Sequence, residues 1–176
     1  MTLDWKNESS RAVLREMLKD PDVDPELVVH AASSRYPSLR NGAALSPQAS
    51  VDVLVELAWD KDPMVRRSVA SNPYCPPDKL RGLAREEMIE IRLAVAGNPN
   101  TPCDALLQLA FMDARKPVAK EAQYKLLGKS QAYWDSQDED ELSLDEVTSR
   151  LGGQSLRTHL YRADMGAVIE KIERVG

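Results

Sequence analysis

Few side chains in this chain of 176 residues are suited to catalysis. There are two histidines, His30 and His159, and two cysteines, Cys75 and Cys103. They are too few and too scattered to assemble a Ser/His/Asp or Cys/His nucleophile set from spacing. Nor do they form a zinc or iron–sulfur motif or a disulfide framework. No phosphate-cradling glycine loop is present. Cys75 falls near the expected start of a helix, where a thiol pKa can drop, but an inert structural thiol is the stronger reading. Trp59 and Asp60 make an aromatic–acid pair, with Trp59 read as packing. His30 is read as a solvated residue on a polar helix face. The one repeated charged pattern is Arg40, Arg66 and Arg92, spaced by 26 residues, with Arg67 beside it. Guanidinium forks at fixed spacing can take carboxylates or phosphates bidentately from a partner. The competing reading is structural, an acid–arginine ladder between neighbouring repeats, with Asp62 as an example of the acid. Arg40, Arg66, Arg67 and Arg92 are therefore the candidate partner-binding residues, and no catalytic, cofactor or metal residue is expected.

The 26-residue spacing belongs to the whole chain segment that holds those arginines. Val65-Arg66-Arg67-Ser68-Val69-Ala70-Ser71-Asn72-Pro73 aligns without gaps on Ile91 through Pro99, on Leu39 through Pro47 and on Val13 through Pro21. Pro21, Pro47, Pro73 and Pro99 share one column, each preceded by a short polar residue, Asp20, Ser46, Asn72 or Asn98. Ala32, Ala58, Ala84 and Ala110 share another. Apolar residues at i, i+4 and i+5, such as Val65, Val69 and Ala70, predict a helix. It must stop before the proline, which disfavours the helical region for its predecessor. A second helix is expected to begin near Asp24-Pro25 or Thr101-Pro102, a cap followed by proline at the first helical position. Each repeat is thus a pair of short helices that cannot bury its stripe alone and must stack on its neighbours. The boundaries are 1–12 as a lead-in, repeats at 13–38, 39–64, 65–90 and 91–116, and a half-repeat at 117–127 carrying Val118, Ala122, Leu126 and Leu127.

Composition agrees with closely packed helices: 43% of residues are apolar, with a single Phe. The net charge of −5 disfavours a nucleic-acid backbone as partner. No apolar run is long enough to span a membrane, and the polar start carries no signal-peptide core. The expectation is a cytoplasmic protein.

The pattern Val-Arg-x-x-Val-Ala-x-Asn-Pro followed by Pro-x-x-x-Leu-x-x-Leu-Ala resembles the leucine-rich repeat variant family. Asn72-Pro73-Tyr74-Cys75-Pro76 and Asn98-Pro99-Asn100-Thr101-Pro102 carry the resemblance best, and it extends over roughly residues 13–116. It implies an all-α, right-handed α-solenoid related to HEAT and armadillo repeats, and no shared activity. Some members of the family carry an iron–sulfur cluster on a separate cysteine-rich segment, which has no counterpart here.

Residues 128–142 read as an acidic linker, with five acids in Asp135–Glu141. Ser143-Leu144-Asp145-Glu146 has the form of a capping box and predicts a short helix to about Leu151, ended by Gly152-Gly153. A longer helix bearing Leu156, Leu160, Met165, Val168, Ile169 and Ile172 should follow. The expected product is a C-terminal helical hairpin over 143–176 that caps the solenoid, with homo-oligomerisation through it left open. The functional expectation is a non-enzymatic scaffold that binds another protein on its concave face, without a cofactor. The alternative is a nucleic-acid-binding or base-repair helical-repeat protein, and a small enzyme with an unrecognised site is a third.

Overall fold

The computed structural model describes residues 7–135 and, beyond them, 147–148, 154–155, 157–158, 160 and 165–173. The chain divides into two compact units, 1–100 and 101–176.

The first unit holds α1 (Glu8–Met17), α2 (Pro25–Ala32), α3 (Pro37–Leu45), α4 (Val51–Leu57), α5 (Pro63–Ser71), α6 (Pro77–Leu83) and α7 (Ile89–Gly97). Helices α2, α4 and α6 start 26 residues apart, and so do α3, α5 and α7, so the sequence register is also the structural register. The first helices of successive pairs pack in order, α1 on α3, α3 on α5 and α5 on α7. Their aliphatic columns make the core: Leu39, Val65 and Ile91 are fully buried, as are Leu54 and Leu80 of the second helices.

Local chemistry sets the helix ends. Asp24, Ser50 and Asp62 each accept a hydrogen bond from a backbone N–H in the first turn, and Pro25, Pro37 and Pro63 stand at the start of their helices. Two details differ from the sequence reading. Helix α1 begins at Glu8, inside the stretch read as a lead-in, because no proline marks its start and Asn7 caps it through Ser9 N–H. The cap column is 24/50/76/102, so Pro102 is the N-cap and the next helix starts at Cys103. Thr101 lies one place earlier, in a buried column with Val23, Ala49 and Cys75.

The asparagines before the prolines do more than close a turn. Asn72 is buried, and its amide nitrogen donates to Ala44 O (2.8 Å) and Ser46 O (3.1 Å) at the end of α3. Its Oδ1 accepts from Tyr74 N–H at 2.9 Å. Asn98 repeats the arrangement on Ala70 O (2.7 Å) and Asn72 O (2.8 Å). Each amide thus satisfies a carbonyl that a helix C-terminus one repeat back leaves without a partner, Ala44 O or Ala70 O, and adds a second donor to Ser46 O or Asn72 O, which also accept from Ala49 and Cys75 N–H. The variant Asn72→Ser keeps an acceptor for Tyr74 N–H, as Ser46 does for Gln48 N–H, but loses both donations. Ala44 O then lacks a donor, while Ser46 O keeps the Ala49 N–H, and urea unfolding should register a loss of about 1–3 kcal/mol.

The second unit holds α8 (Cys103–Met112), α9 (Lys116–Leu127), α10 (Gln131–Asp135) and α11 (Gly166–Glu173). The helix expected from Val118, Ala122 and Leu126 is α9, with all three buried. Helix α10 occupies part of the stretch read as linker. Its Trp134 is fully buried, as are Leu160 and Val168. Helix α11 packs on α9 and α10. Lys171 Nζ donates to Leu127 O (3.2 Å) and Lys129 O (2.7 Å), giving the C-terminal carbonyls of α9 a cationic donor. The helix expected from Ser143 to Leu151 is corrected at its described residues: Val147-Thr148 pairs antiparallel with Gln154-Ser155. Val and Thr are β-branched and favour extended backbone, and so short an isolated helix is marginal. The acidic run after Asp135, the capping box, Gly152-Gly153, Leu156 and His159 lie outside the described residues.

Candidate functional site

The arginine column forms a continuous bonded chain along residues 1–100. Arg40 grips Asp60 bidentately, Nε to Oδ2 at 2.5 Å and Nη2 to Oδ1 at 2.8 Å, while its Nη1 donates to Ser34 O at 2.9 Å. Arg66 does the same one repeat later, holding both carboxylate oxygens of Glu86 at 2.7 and 3.0 Å and donating to Asp60 O at 2.7 Å. Arg92 Nη1 donates to Glu86 O and Glu87 O, both at 2.8 Å. Asp60 and Glu86 therefore each engage two arginines, one through the carboxylate and the next through the carbonyl.

Burial differs along the chain of bonds. The Arg40 and Asp60 side chains are 9% and 7% exposed, those of Arg66 and Glu86 20% and 25%. Burial alone would raise the Asp60 pKa. The hydrogen bonds from Arg40 and from Asp62 N–H, with the Arg40 charge, outweigh it and hold the carboxyl below its usual value. The acid facing Arg66 is Glu86, whereas Asp62 caps α5 through Met64 N–H. Arg67 stands outside this arrangement and is exposed.

The remaining candidates separate. Cys75 is fully buried, and burial, with the Asp78 charge adding to it, pushes its thiol up to about 12. A thiol so raised is not a nucleophile at neutral pH. Cys103 is also buried. His30 is exposed on α2. Trp59 is the correction: expected in packing, it is 78% exposed just beyond the end of α4, with Lys79 Nζ 6.0 Å from its ring centroid. Its column mates are Ser33, Arg85 and Phe111, a position with no apolar periodicity, so its exposure could have been read from the repeat alignment. The acids that close the ladder also had a signal: Asp60 and Glu86 are themselves 26 residues apart.

Two open recesses lie in the first unit. One, of about 490 Å³, runs between α1 and α3 and is bordered by Val13, Glu16, Asn41, Gly42 and Leu45. The other, of about 550 Å³, is bordered by Pro63, Arg66, Gly82, Arg85, Glu86 and Met88. Among the described residues there is no cluster of three or more His, Cys, Asp or Glu able to hold a metal ion, and no helix long and apolar enough to cross a membrane.

No curated protein and no solved structure matches the chain. Residues 89–114 match the profile of the leucine rich repeat variant, the stretch that spans α7, the Asn98-Pro99 turn and α8. That stretch of the chain is thus similar to a leucine rich repeat variant, a helical repeat.

Proposed function

We propose that the chain is a non-enzymatic scaffold that binds another protein on its helical surface. The observation that carries this reading is the division of labour between two columns. The repeated arginines, the feature with the most binding chemistry, are engaged by Asp60, Glu86 and backbone carbonyls, whereas Trp59 is held outward on a packed helix pair. A large rigid aromatic that adds little to its own fold is the residue type that dominates protein interfaces. The same internal pairing, with the net charge of −5, speaks against a nucleic-acid partner. The buried thiols of Cys75 and Cys103, which form no disulfide, are compatible with a reducing compartment such as the cytoplasm.

The test is comparative capture from a lysate of the source organism with the wild-type chain and Trp59→Ala, followed by titration calorimetry with the partner identified. Trp59→Ala should leave stability within about 0.5 kcal/mol and weaken the complex by about 2 kcal/mol or more, some thirtyfold. A partner held equally by both chains would remove Trp59 from the interface. An enzymatic turnover by the purified chain would overturn the scaffold reading itself.

A further inference from the structure

Helix α11 is held in the second unit by a polar clasp and a short apolar stripe. Lys171 Nζ reaches the carbonyls at the end of α9, Leu127 O at 3.2 Å and Lys129 O at 2.7 Å. In return, Gln131 Nε2 of α10 donates to Lys171 O at 2.8 Å. Met165, Val168 and Ile169 are buried, and their spacing of three and four residues puts them on one face. That helix packs on α10, where Trp134 is fully buried, and on α9, where Val118, Ala122 and Leu126 are buried.

The same region leaves polar atoms unmet. Gln131 Oε1 and Trp134 Nε1, three residues apart on α10, are buried and make no hydrogen bond. Turning the Gln131 amide over would not mend this. Its Nε2 already serves two acceptors, Asp135 Oδ1 at 2.9 Å and Lys171 O at 2.8 Å, so the oxygen is the atom left over. The indole N–H can act only as a donor. Water would satisfy both atoms, and closure removes that water without a replacement, which penalises the closed state. Helix α11 has only eight residues, too few to persist without support. The closed state thus sets one clasp and one short stripe against two dehydrated polar atoms. Such a segment opens locally, ahead of the longer helix beneath it.

We propose that α11 is a releasable strap over a helix-docking surface of α9 and α10, and that this surface takes in its place a partner helix of the same make-up. The seated α11 defines that make-up: apolar residues three and four apart, as Met165, Val168 and Ile169 are, followed by a lysine that caps the end of α9. Because α11 is tethered to the surface it covers, it competes at high effective concentration and keeps the surface closed to weak binders. A partner helix that also brings an acceptor for Trp134 Nε1 or a donor for Gln131 Oε1 covers the surface with better-matched groups than α11 does. The inference goes beyond the Trp59 surface and does not depend on it.

The experiment uses the full chain with Trp5→Phe and Trp59→Phe, which leaves Trp134 as the one tryptophan. Lys171→Met keeps a long side chain and removes the clasp, and it should raise acrylamide quenching of Trp134 about threefold or more. A capped synthetic peptide of residues 164–175 should return the quenching to the parental value. It should bind the Lys171→Met chain about tenfold or more tighter than the parent, whose own strap competes. The same peptide with Val168→Asp should fail to bind. If Lys171→Met unfolds the unit, hydrogen exchange of the unaltered chain decides: α11 amides should exchange about tenfold or more faster than those of α9 from Val118 to Leu126. Equal protection of the two helices, quenching unchanged in a folded Lys171→Met chain, or a peptide that binds parent and variant alike would overturn the proposal. So would a dimer of the variant that restores Trp134 protection without peptide, which would make a second copy the occupant. None of these outcomes touches the Trp59→Ala test of the scaffold reading.

Discussion

Replacing Arg40 by Gln should cost about 3–5 kcal/mol of folding stability, the loss expected when one member of a buried ion pair is removed and its partner stays behind. The Asp60 carboxylate, 7% exposed, loses both of its guanidinium bonds, and Ser34 O loses its donor. Arg66→Gln removes the same three bonds from a more open site, where the acid left behind is 25% exposed against 7% for Asp60. Water can reach Glu86 there, and the loss should fall nearer 1.5–3 kcal/mol. Arg67→Gln, at an exposed position, should stay within about 0.5 kcal/mol and serves as the control. Denaturant titration of the three variants should return that order, and equal small losses would mean that the ladder is not structural. The pH dependence carries a sign. The folded pKa of Asp60 is depressed, so the stabilisation from its pairing with Arg40 is fully present above the ordinary carboxyl value of about 4. It is lost as pH falls through the folded value. The gap between wild type and Arg40→Gln should therefore be widest above about pH 4 and close in stronger acid.

Leu80→Ala should cost roughly 2–5 kcal/mol, because the side chain is fully buried and the rigid helices around it cannot collapse into the space. Leu106→Ala, at a buried position of α8, belongs in the same range. Val28→Ala should cost less, roughly 1.5–2.5 kcal/mol, at about 0.8 kcal/mol for each carbon removed plus a small cavity. Val28 is as buried as Leu80, so exposure cannot be the cause of the difference. Volume is one cause. The other is that Val28 belongs to the helix pair whose outer columns, Val13 and Met17, are open, so local fraying is easier there. Equal losses at all three sites would contradict a stack whose members are stabilised by their neighbours.

The register of this fold was legible in the amino-acid order because short-range chemistry sets it. A proline at a fixed offset stops one helix, an Asp, Ser or Pro cap starts the next, and the 26-residue period repeats both. Such signals act over a turn of backbone and need no knowledge of what lies across the repeat. They also bring Arg40, Arg66 and Arg92 into one row, as the spacing required. Other features depended on distances the linear pattern does not contain. Asp60 and Glu86, and not Asp62, became the ladder acids, because each lies 20 residues after its arginine, at the far end of the second helix, where the chain returns to the same level. The Asn72 and Asn98 amides reach one repeat back only because the turns stack. The exposure of Trp59 and the pairing of Val147-Thr148 with Gln154-Ser155 are likewise tertiary outcomes. An apolar or β-branched residue states a preference, but which surface covers it is decided by neighbours distant in sequence. Val13 is the sharpest case, since it shares a column with Leu39, Val65 and Ile91 and differs from them only in what the fold lays against it.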